Sequence, residues 1–344
     1  MTNIKKNTKM IRKKSRIILL FIIFELMFTA VTGPFILYYG PFKNVKTTVV
    51  GAAMTTFTLQ WLATSFLSDE KIEQIMSEQT VDVIAQDNLN GVDSGVNVEN
   101  KNDDGIERYE ITGRKFKGHL LVIKDPTRLK VGYSNMLGME GQLTSDMARD
   151  NNAIAAINGG GFTDNLAGSK WTGTGSNPVG IIMSNGKIIF DGIKNENQTR
   201  ETVALTKSGK LLVGLYSIKE IQDFGVMEAV SFGPAMIVNG RKAITKGDGG
   251  WGIAPRTCIG QREDGALLLL VIDGRKLNSI GATLKEAQDV LYDHGAYNAT
   301  NLDGGSSSTM FYNDEIINNP CGSLGERSIA SILYIEKRLE NKQS

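Results

Sequence analysis

Between Asn301 and Met310 the chain reads Asn-Leu-Asp-Gly-Gly-Ser-Ser-Ser-Thr-Met. An apolar segment from Ala296 to Leu302 delivers one carboxylate, Asp303, and then breaks at Gly304 and Gly305. Four hydroxyl side chains come next without interruption, Ser306, Ser307, Ser308 and Thr309. Paired glycines let the backbone take φ > 0 and gather its N–H groups into a concave cluster. Hydroxyls and N–H groups beside a single Asp suit a polar ligand such as a sugar or a phosphate. The plainer alternative is a strand that ends in a loop, with Asp303 as a turn residue.

Three further polar clusters sit at the ends of apolar runs. Ala155-Ala156-Ile157 leads into Asn158-Gly159-Gly160-Gly161-Phe162. Here the glycines permit close backbone approach and Asn158 both donates and accepts. The spacing is not GxGxxG and no helix pattern comes after it, so a dinucleotide site is weakly supported. At Pro255-Arg256-Thr257 a guanidinium enters an apolar strand, where it needs a carboxylate, phosphate or carbonyl partner. The run Leu268 to Ile272 ends in Asp273-Gly274-Arg275. Asp273 either acts on substrate or orients Arg275. Glu326-Arg327, just before the last strand, adds another charged pair.

Two carboxylates, two or three arginines and many hydroxyls suit hydrolysis of an anionic carbohydrate. Glycoside cleavage commonly uses a carboxylate pair around an oxocarbenium-like transition state. A phosphate ester leaves readily as an anion, and arginine charge then supplies much of what a general acid supplies for an ordinary alcohol. The set is therefore coherent without an acid–base histidine. Of the two histidines, His119 lies in a strand and His294 near a helix end, so a Ser-His-Asp triad has little support. There is no HExxH or EF-hand loop, and Lys246-Gly247-Asp248-Gly249-Gly250 is too sparse for calcium. No metal and no cofactor is expected.

Strands must position these clusters. Asn-Gly and related turns predict hairpins around Ser184-Asn185-Gly186, Lys207-Ser208-Gly209-Lys210, Asn239-Gly240 and Glu263-Asp264-Gly265. Helices are expected from about Ser145 to Asn151 and from Leu284 to about His294, the second with a Thr283/Glu286 capping box. The fold class is α+β: a mixed, mostly antiparallel β-sheet core with a few packed helices, plus an N-terminal transmembrane helix.

The chain ends are of another kind. Residues 1–16 carry seven basic side chains and no acid, and form a cytoplasmic tail. Ile17 to Tyr39 is a mostly apolar run of 23 residues, longer than a signal-peptide core and long enough to span a bilayer. The basic flank predicts a single-pass cell-membrane protein with its C-terminal domain extracytoplasmic. Cleavage near Ala30 is the alternative to an uncleaved anchor. Val49 to Leu67 lacks charge but is rich in Thr, and reads as membrane-proximal rather than as a second span. A short helix is expected from Ser68 to about Gln79, and the Asp-, Asn-, Gly- and Ser-rich stretch 81–105 reads as linker. Residues 40–105 are thus membrane-proximal segment and linker, 106–338 the folded domain and 339–344 a tail.

The net charge of +1 hides an asymmetry: without the tail, 31 basic stand against 37 acidic residues, or −6. An acidic ectodomain argues against nucleic acid as a partner and leaves the membrane, through the N-terminal helix, as one. Cys258 and Cys321 are the only cysteines. They exclude a cysteine-rich zinc module, and their pairing is left open.

In this order, Ile157 to Phe162, Pro255-Arg256-Thr257, Asp273-Gly274-Arg275 and Asn301 to Met310 resemble the phosphodiester glycosidase family (N-acetylglucosamine-1-phosphodiester α-N-acetylglucosaminidase-like). That family also holds many bacterial proteins labelled as exopolysaccharide biosynthesis proteins. The resemblance covers roughly residues 115–336. It implies cleavage between an anomeric carbon and a phosphodiester oxygen, on a phosphodiester-linked glycan or sugar phosphate. Asp303 and Asp273 become the catalytic carboxylates. Arg256 and Arg275 become phosphate ligands. Asn158, Gly159, Gly160, Gly304, Gly305, Ser306, Ser307, Thr309 and Arg327 become substrate-binding positions. Family members often carry a third glycine after Asp-Gly-Gly, where this chain has Ser306, whose hydroxymethyl narrows the pocket. With the anchor and few cysteines, a bacterial surface enzyme acting on wall or capsular glycopolymers is expected. A non-catalytic glycan-binding or exopolysaccharide assembly protein is the alternative.

Overall fold

The computed structural model describes residues 2–54, 59–78, 81–86, 95–163, 174–193, 195–322 and 324–338. The tail at 339–344 and residues 87–94 lie outside the described residues. The chain forms two compact units, Met1–Glu78 and Gln79–Ser344.

The first unit is helical. Thr2–Tyr39 is one helix, and its stretch Lys13–Tyr39 is the one helix among the described residues long and apolar enough to cross a membrane. Side chains from Ile17 to Phe28 are mostly more than half exposed, as expected of a surface that meets lipid rather than protein. Three shorter helices complete the unit, Lys43–Met54, Trp61–Thr64 and Asp69–Ser77. The last starts where the sequence predicts, with the Ser68 hydroxyl accepting from Lys71 N. Val49–Leu67 contributes to two separate helices, Lys43–Met54 and Trp61–Thr64.

Among the described residues the second unit is built from three large antiparallel sheets, each with a helix on its outer face, and one two-stranded sheet, Phe162–Thr163 with Asn177–Pro178. In the seven-stranded sheet the order is Ile106–Thr112, Lys117–Ile123, Leu267–Ile272, Arg256–Arg262, Ala296–Asn301, Ala235–Val238, Arg241–Lys242. One five-stranded sheet runs Leu211–Tyr216, Arg200–Thr206, Val226–Ser231, Ile181–Ser184, Lys187–Asp191. The other runs Glu315–Ile316, Met310–Tyr312, Ala153–Asn158, Ser331–Glu336, Leu129–Tyr133.

Inner faces of all three large sheets meet in one core, with Leu121, Val131, Ile157, Ile182, Val203, Leu269 and Leu333 in a single buried cluster. Helix Leu284–Asp293 covers the outer face of the large sheet with Leu284, Ala287 and Leu291. Helices Ile218–Asp223 and Thr144–Asp150 cover the other two. This arrangement explains the unbroken apolar run Leu267–Ile272. Leu267, Leu269 and Val271 face the central core, while Leu268, Leu270 and Ile272 face the helix layer, so neither face is polar.

Local signals act as the sequence predicts. Asn185 and Asn239 take φ of 50° and 53° and the glycines after them 74° and 71°, the paired left-handed geometry of a tight hairpin. The capping box at Thr283/Glu286 is present. A second, at Ser217/Glu220, begins a helix that the spacing alone did not flag. The polar stretch read as linker pairs with the domain wherever it is described. Asp82 N donates to Ala243 O at 2.9 Å and Asn97 N to Glu263 O at 2.7 Å. The Gln86 side chain bonds Leu211 O and Val213 N at 3.0 Å each. Val81 and Ile84 also pack against the domain's apolar clusters and Val96 is buried, so hydrogen bonds and apolar packing together hold it.

Candidate active site

Antiparallel order decides where the four clusters meet. Strand Arg256–Arg262 runs opposite to both Leu267–Ile272 and Ala296–Asn301, so Arg256 begins at the edge where Asp273 and Asp303 emerge. In the neighbouring sheet, Asn158 ends its strand where Met310 and Ser331 begin theirs. Asp303 N donates to Gly159 O at 3.3 Å and joins the two edges.

Asn158 is the hub, only 1% exposed. Its Nδ2 donates to Asp303 O at 2.5 Å. Its Oδ1 accepts from Thr257 Oγ1 at 2.7 Å and from Thr309 N at 3.2 Å. The amide thus fixes both ends of the hydroxyl loop against the Arg256 strand. Gly159 and Gly160 donate to Ser331 O at 2.9 Å and Ser331 Oγ at 3.1 Å. A Cβ on Gly159 would meet Ser331 Oγ at 2.8 Å, so the glycine is required by close packing.

Pro255 is sandwiched. A Cβ on Gly274 would meet its nitrogen at 2.7 Å, and one on Gly304 its carbonyl oxygen at 2.8 Å. Gly305 N donates to that same oxygen at 2.9 Å, with Gly305 at φ 63°. Arg256 behind it is 3% exposed, and its guanidinium donates to the carbonyls of Ala282, Trp251 and Gly252 at 3.0, 3.1 and 2.6 Å. Burial pulls its pKa down to about 10, so it stays charged at neutral pH. Buried and committed to three carbonyls, the guanidinium is placed as a brace for the segment before its strand, the carbonyl-paired alternative that its strand position allows, rather than as the phosphate ligand that the family resemblance implies.

Arg275 is placed differently. It is exposed, sits at φ 57°, and its Nη2 lies where a Cβ on Gly305 would approach to 3.3 Å. A non-glycine residue in the left-handed region stores strain, which is commoner at functional sites. Asp273 Oδ1 accepts from Asn318 Nδ2 at 3.1 Å and Asn319 N at 2.9 Å. The Asn318 amide also donates to Ser308 O at 3.2 Å and accepts from Met310 N at 2.8 Å. Asn318 therefore clips Asp273 to the hydroxyl loop. Nothing in its Asn318-Asn319-Pro320 context distinguishes it from a turn residue.

Within the loop, Ser306 Oγ accepts from Arg327 Nη1 at 3.4 Å, and the Arg327 guanidinium lies 4.8 Å from the Phe162 ring centre. Ser307, Ser308 and Thr309 are buried, and none of their hydroxyls has a hydrogen-bond partner. An unpaired buried hydroxyl costs about 1–3 kcal/mol, so three in succession are a local cost carried by this loop. Glu326 is used elsewhere: its carboxylate accepts from Ser145 N and Oγ at 3.0 and 2.6 Å, at the start of helix Thr144–Asp150. No cluster of metal-ligating side chains is found among the described residues.

Both cysteines are free. Cys258 is buried and its thiol is pushed up to about 12, whereas Cys321 is half-buried, with Sγ 3.5 Å from Gly305 O. A thiol reagent should modify Cys321 alone in the native chain and both cysteines after denaturation without reductant. A single modified thiol after denaturation would contradict this.

A profile of the phosphodiester glycosidase family matches residues 151–336, more than half of the chain. The chain belongs to the phosphodiester glycosidase family. It is 26% identical over 233 residues to mouse N-acetylglucosamine-1-phosphodiester α-N-acetylglucosaminidase, covering 60% of this chain and 42% of the mouse protein. It is 40% identical over 81 residues to the SPbeta prophage-derived protein YomE of Bacillus subtilis (strain 168), covering 24% of this chain and 12% of that protein. The chain thus spans less than half the length of these two relatives. Its fold is similar to the zebrafish N-acetylglucosamine-1-phosphodiester α-N-acetylglucosaminidase catalytic domain auto-inhibited by its pro-peptide. That match has TM-score 0.56 at 23% identity, covering 71% of this chain and 87% of that one. A Synechocystis protein matches with TM-score 0.54 at 16% identity, covering 68% and 62%.

Beside the motifs of this phosphodiester glycosidase-family chain lie groups that sequence reading missed. Phe232 and Trp251 pack edge to face, 5.9 Å apart, and a Cβ on Gly161 would meet the Phe232 ring at 3.1 Å. Against Gly233, the residue after Phe232, lies Glu201. Its Oε2 is buried without a partner, and a Cβ on Gly233 would meet that atom at 2.7 Å. Burial raises its pKa, opposed by a hydrogen bond from the Ala235 backbone. The folded state therefore favours the protonated acid. Its contribution to stability is full below the unfolded pKa of about 4.3 and is lost as pH rises through the higher folded value. Glu201→Gln should raise the melting temperature at pH 7.5 by about 3 °C and flatten its decline above pH 4. An unchanged pH profile would remove Glu201 as the cause.

Proposed function

We propose that the chain is a membrane-anchored, extracytoplasmic glycosidase that hydrolyses the anomeric carbon–oxygen bond of glycosyl phosphodiesters in surface or wall glycopolymers. The observation that carries this is the convergence of Asp303, Asp273 and Arg275 on one loop whose three buried hydroxyls lack protein partners. A sugar phosphate brings negative charge to the exposed Arg275 guanidinium beside that loop. Family membership supports glycosidase chemistry. The names of the mouse and zebrafish relatives support a sugar 1-phosphodiester as the substrate class.

In the step proposed, oxygen from water ends on the anomeric carbon. The bond from that carbon to the phosphate oxygen breaks, its electron pair leaves with the phosphomonoester, and water's proton passes to a carboxylate. Asp303 is assigned to the anomeric carbon. Arg275 and Arg327 are assigned to the phosphate, where charge grows as the bond breaks. Arg256 holds the Pro255 turn under Gly304 and Gly305, and Asp273 holds the loop through Asn318. The apolar, exposed helix at Lys13–Tyr39 supports anchoring, and its basic flank supports an extracytoplasmic C-terminal domain.

The full chain in detergent should release reducing sugar and a phosphomonoester from a glycosyl phosphodiester. With an added alcohol, an alkyl glycoside would identify transfer in place of hydrolysis. Retention of sugar-phosphate polymer with neither product would sink the enzyme reading and favour a glycan-binding protein.

A further inference from the structure

Two tight turns stand out because each puts a leucine almost entirely into solvent. Leu277 is 108% exposed in the turn closed by the Lys276/Ser279 bridge, and Leu324 is 98% exposed in the turn closed by the Gly322/Gly325 bridge. The turns are neighbours: Arg275 Nη1 lies 4.0 Å from Cys321 Sγ. Ile280, at the base of the first turn, is a further 48% exposed. Single exposed leucines are ordinary, but two on neighbouring turns with an exposed isoleucine at the base of one are a different feature.

The charge around them is one-sided. Ile280 N donates to Lys115 O at 2.9 Å and Lys117 N to Ser279 Oγ at 2.9 Å, so the 112–117 hairpin turn lies along the 273–280 turn. Together the two segments carry Arg114, Lys115, Lys117, Arg275 and Lys276 against one acid, Asp273. Lys115 pairs with Glu286 at 3.2 Å, and among the described residues no ion pair reaches the other four. On a domain that is acidic overall, this is a local cationic strip beside Leu277 and Ile280.

We propose that this surface is a membrane contact. The 273–280 and 322–325 turns seat Leu277, Leu324 and Ile280 at the interface of an anionic lipid bilayer, and the cationic strip beside Leu277 and Ile280 meets its headgroups. Apolar tips beside Lys and Arg are the combination by which peripheral segments hold such interfaces. The same chain carries a helix apolar enough to span a bilayer. Arg275 belongs both to this rim and to the loop of Asp303, so the contact would open the site at headgroup level.

The test uses full chain carrying Leu277→Cys in a Cys321→Ala background, labelled with an environment-sensitive fluorophore. It is reconstituted into phosphatidylcholine vesicles with or without phosphatidylglycerol. Emission should rise at least about twofold and shift to the blue in the anionic vesicles only, and should revert at high salt. Leu324→Cys should behave alike, while a label at the exposed Leu215 of the Leu211–Tyr216 strand should not respond. Equal emission in both vesicles and in detergent at both turns would overturn the proposal. So would a shift produced by soluble polyglycerol phosphate and not by vesicles. Turnover of a soluble glycosyl phosphodiester, read on the same samples, tells this outcome apart from failure of the glycosidase reading.

Discussion

Asp303→Asn should reduce sugar release from a glycosyl phosphodiester by about 10³-fold, with the melting temperature of the chain unchanged. The two expectations rest on different atoms. The backbone of Asp303 holds the loop, its N–H donating to Gly159 O and its carbonyl accepting from Asn158, and asparagine keeps both bonds. The carboxylate is what asparagine lacks, and it is the group assigned to the anomeric carbon. Asp273→Asn separates the roles further. Asp273 acts on the loop through Asn318 and Asn319, both donating to Oδ1. An asparagine that turns its carbonyl oxygen there preserves the clip, so the loss should be about tenfold and should appear together with lowered stability. Full turnover by Asp303→Asn would remove it from the chemistry. A larger loss at Asp273 than at Asp303 would exchange the two assignments.

Asn158→Ala should destabilise the chain by about 3 kcal/mol and abolish turnover. The side chain is buried and its amide satisfies Asp303 O, Thr257 Oγ1 and Thr309 N at once. Truncation leaves two donors and an acceptor buried without it, each costing about 1–3 kcal/mol unless water enters. Asn158→Asp keeps the acceptor but sets a carboxylate against the Asp303 carbonyl, and should not restore activity. The measurement is the denaturation midpoint beside the rate of sugar release. A stable but inactive Asn158→Ala chain would mean that the amide touches substrate and does not brace the loop.

Much of this site could be read from residue order because each cluster sits where an apolar strand stops. Antiparallel pairing brings such stops and starts to one edge, as with Arg256 opposite Ile272 and Cys258 opposite Asn301. Hairpins at Asn185-Gly186 and Asn239-Gly240 were legible for the same local reason, since only those residue types suit paired positive φ. What stayed hidden depends on long-range geometry. Arg256 looks like an anion ligand until the carbonyls of Trp251, Gly252 and Ala282 are found around it. Asn318 is one amide in a turn until its three partners at 273, 308 and 310 are known. Glu201 gives no signal at all, because its environment is made by Gly233, 32 positions away. The stretch 81–105 looks like linker because it is rich in Asp, Asn, Gly and Ser and lacks aromatics, and the packing of Val81 and Ile84 on the domain depends on partners distant in sequence.

The hydroxyl loop is moored at its two ends and, between them, through Gly305 N to Pro255 O. Asn158 and Gly159 hold residue 303, Asn158 and Asn318 hold 308 to 310, and the Ser306 side chain reaches only Arg327. Position 306 can therefore change size or polarity without loosening these moorings. Such a loop can vary at one position while the carboxylate beside it stays in register.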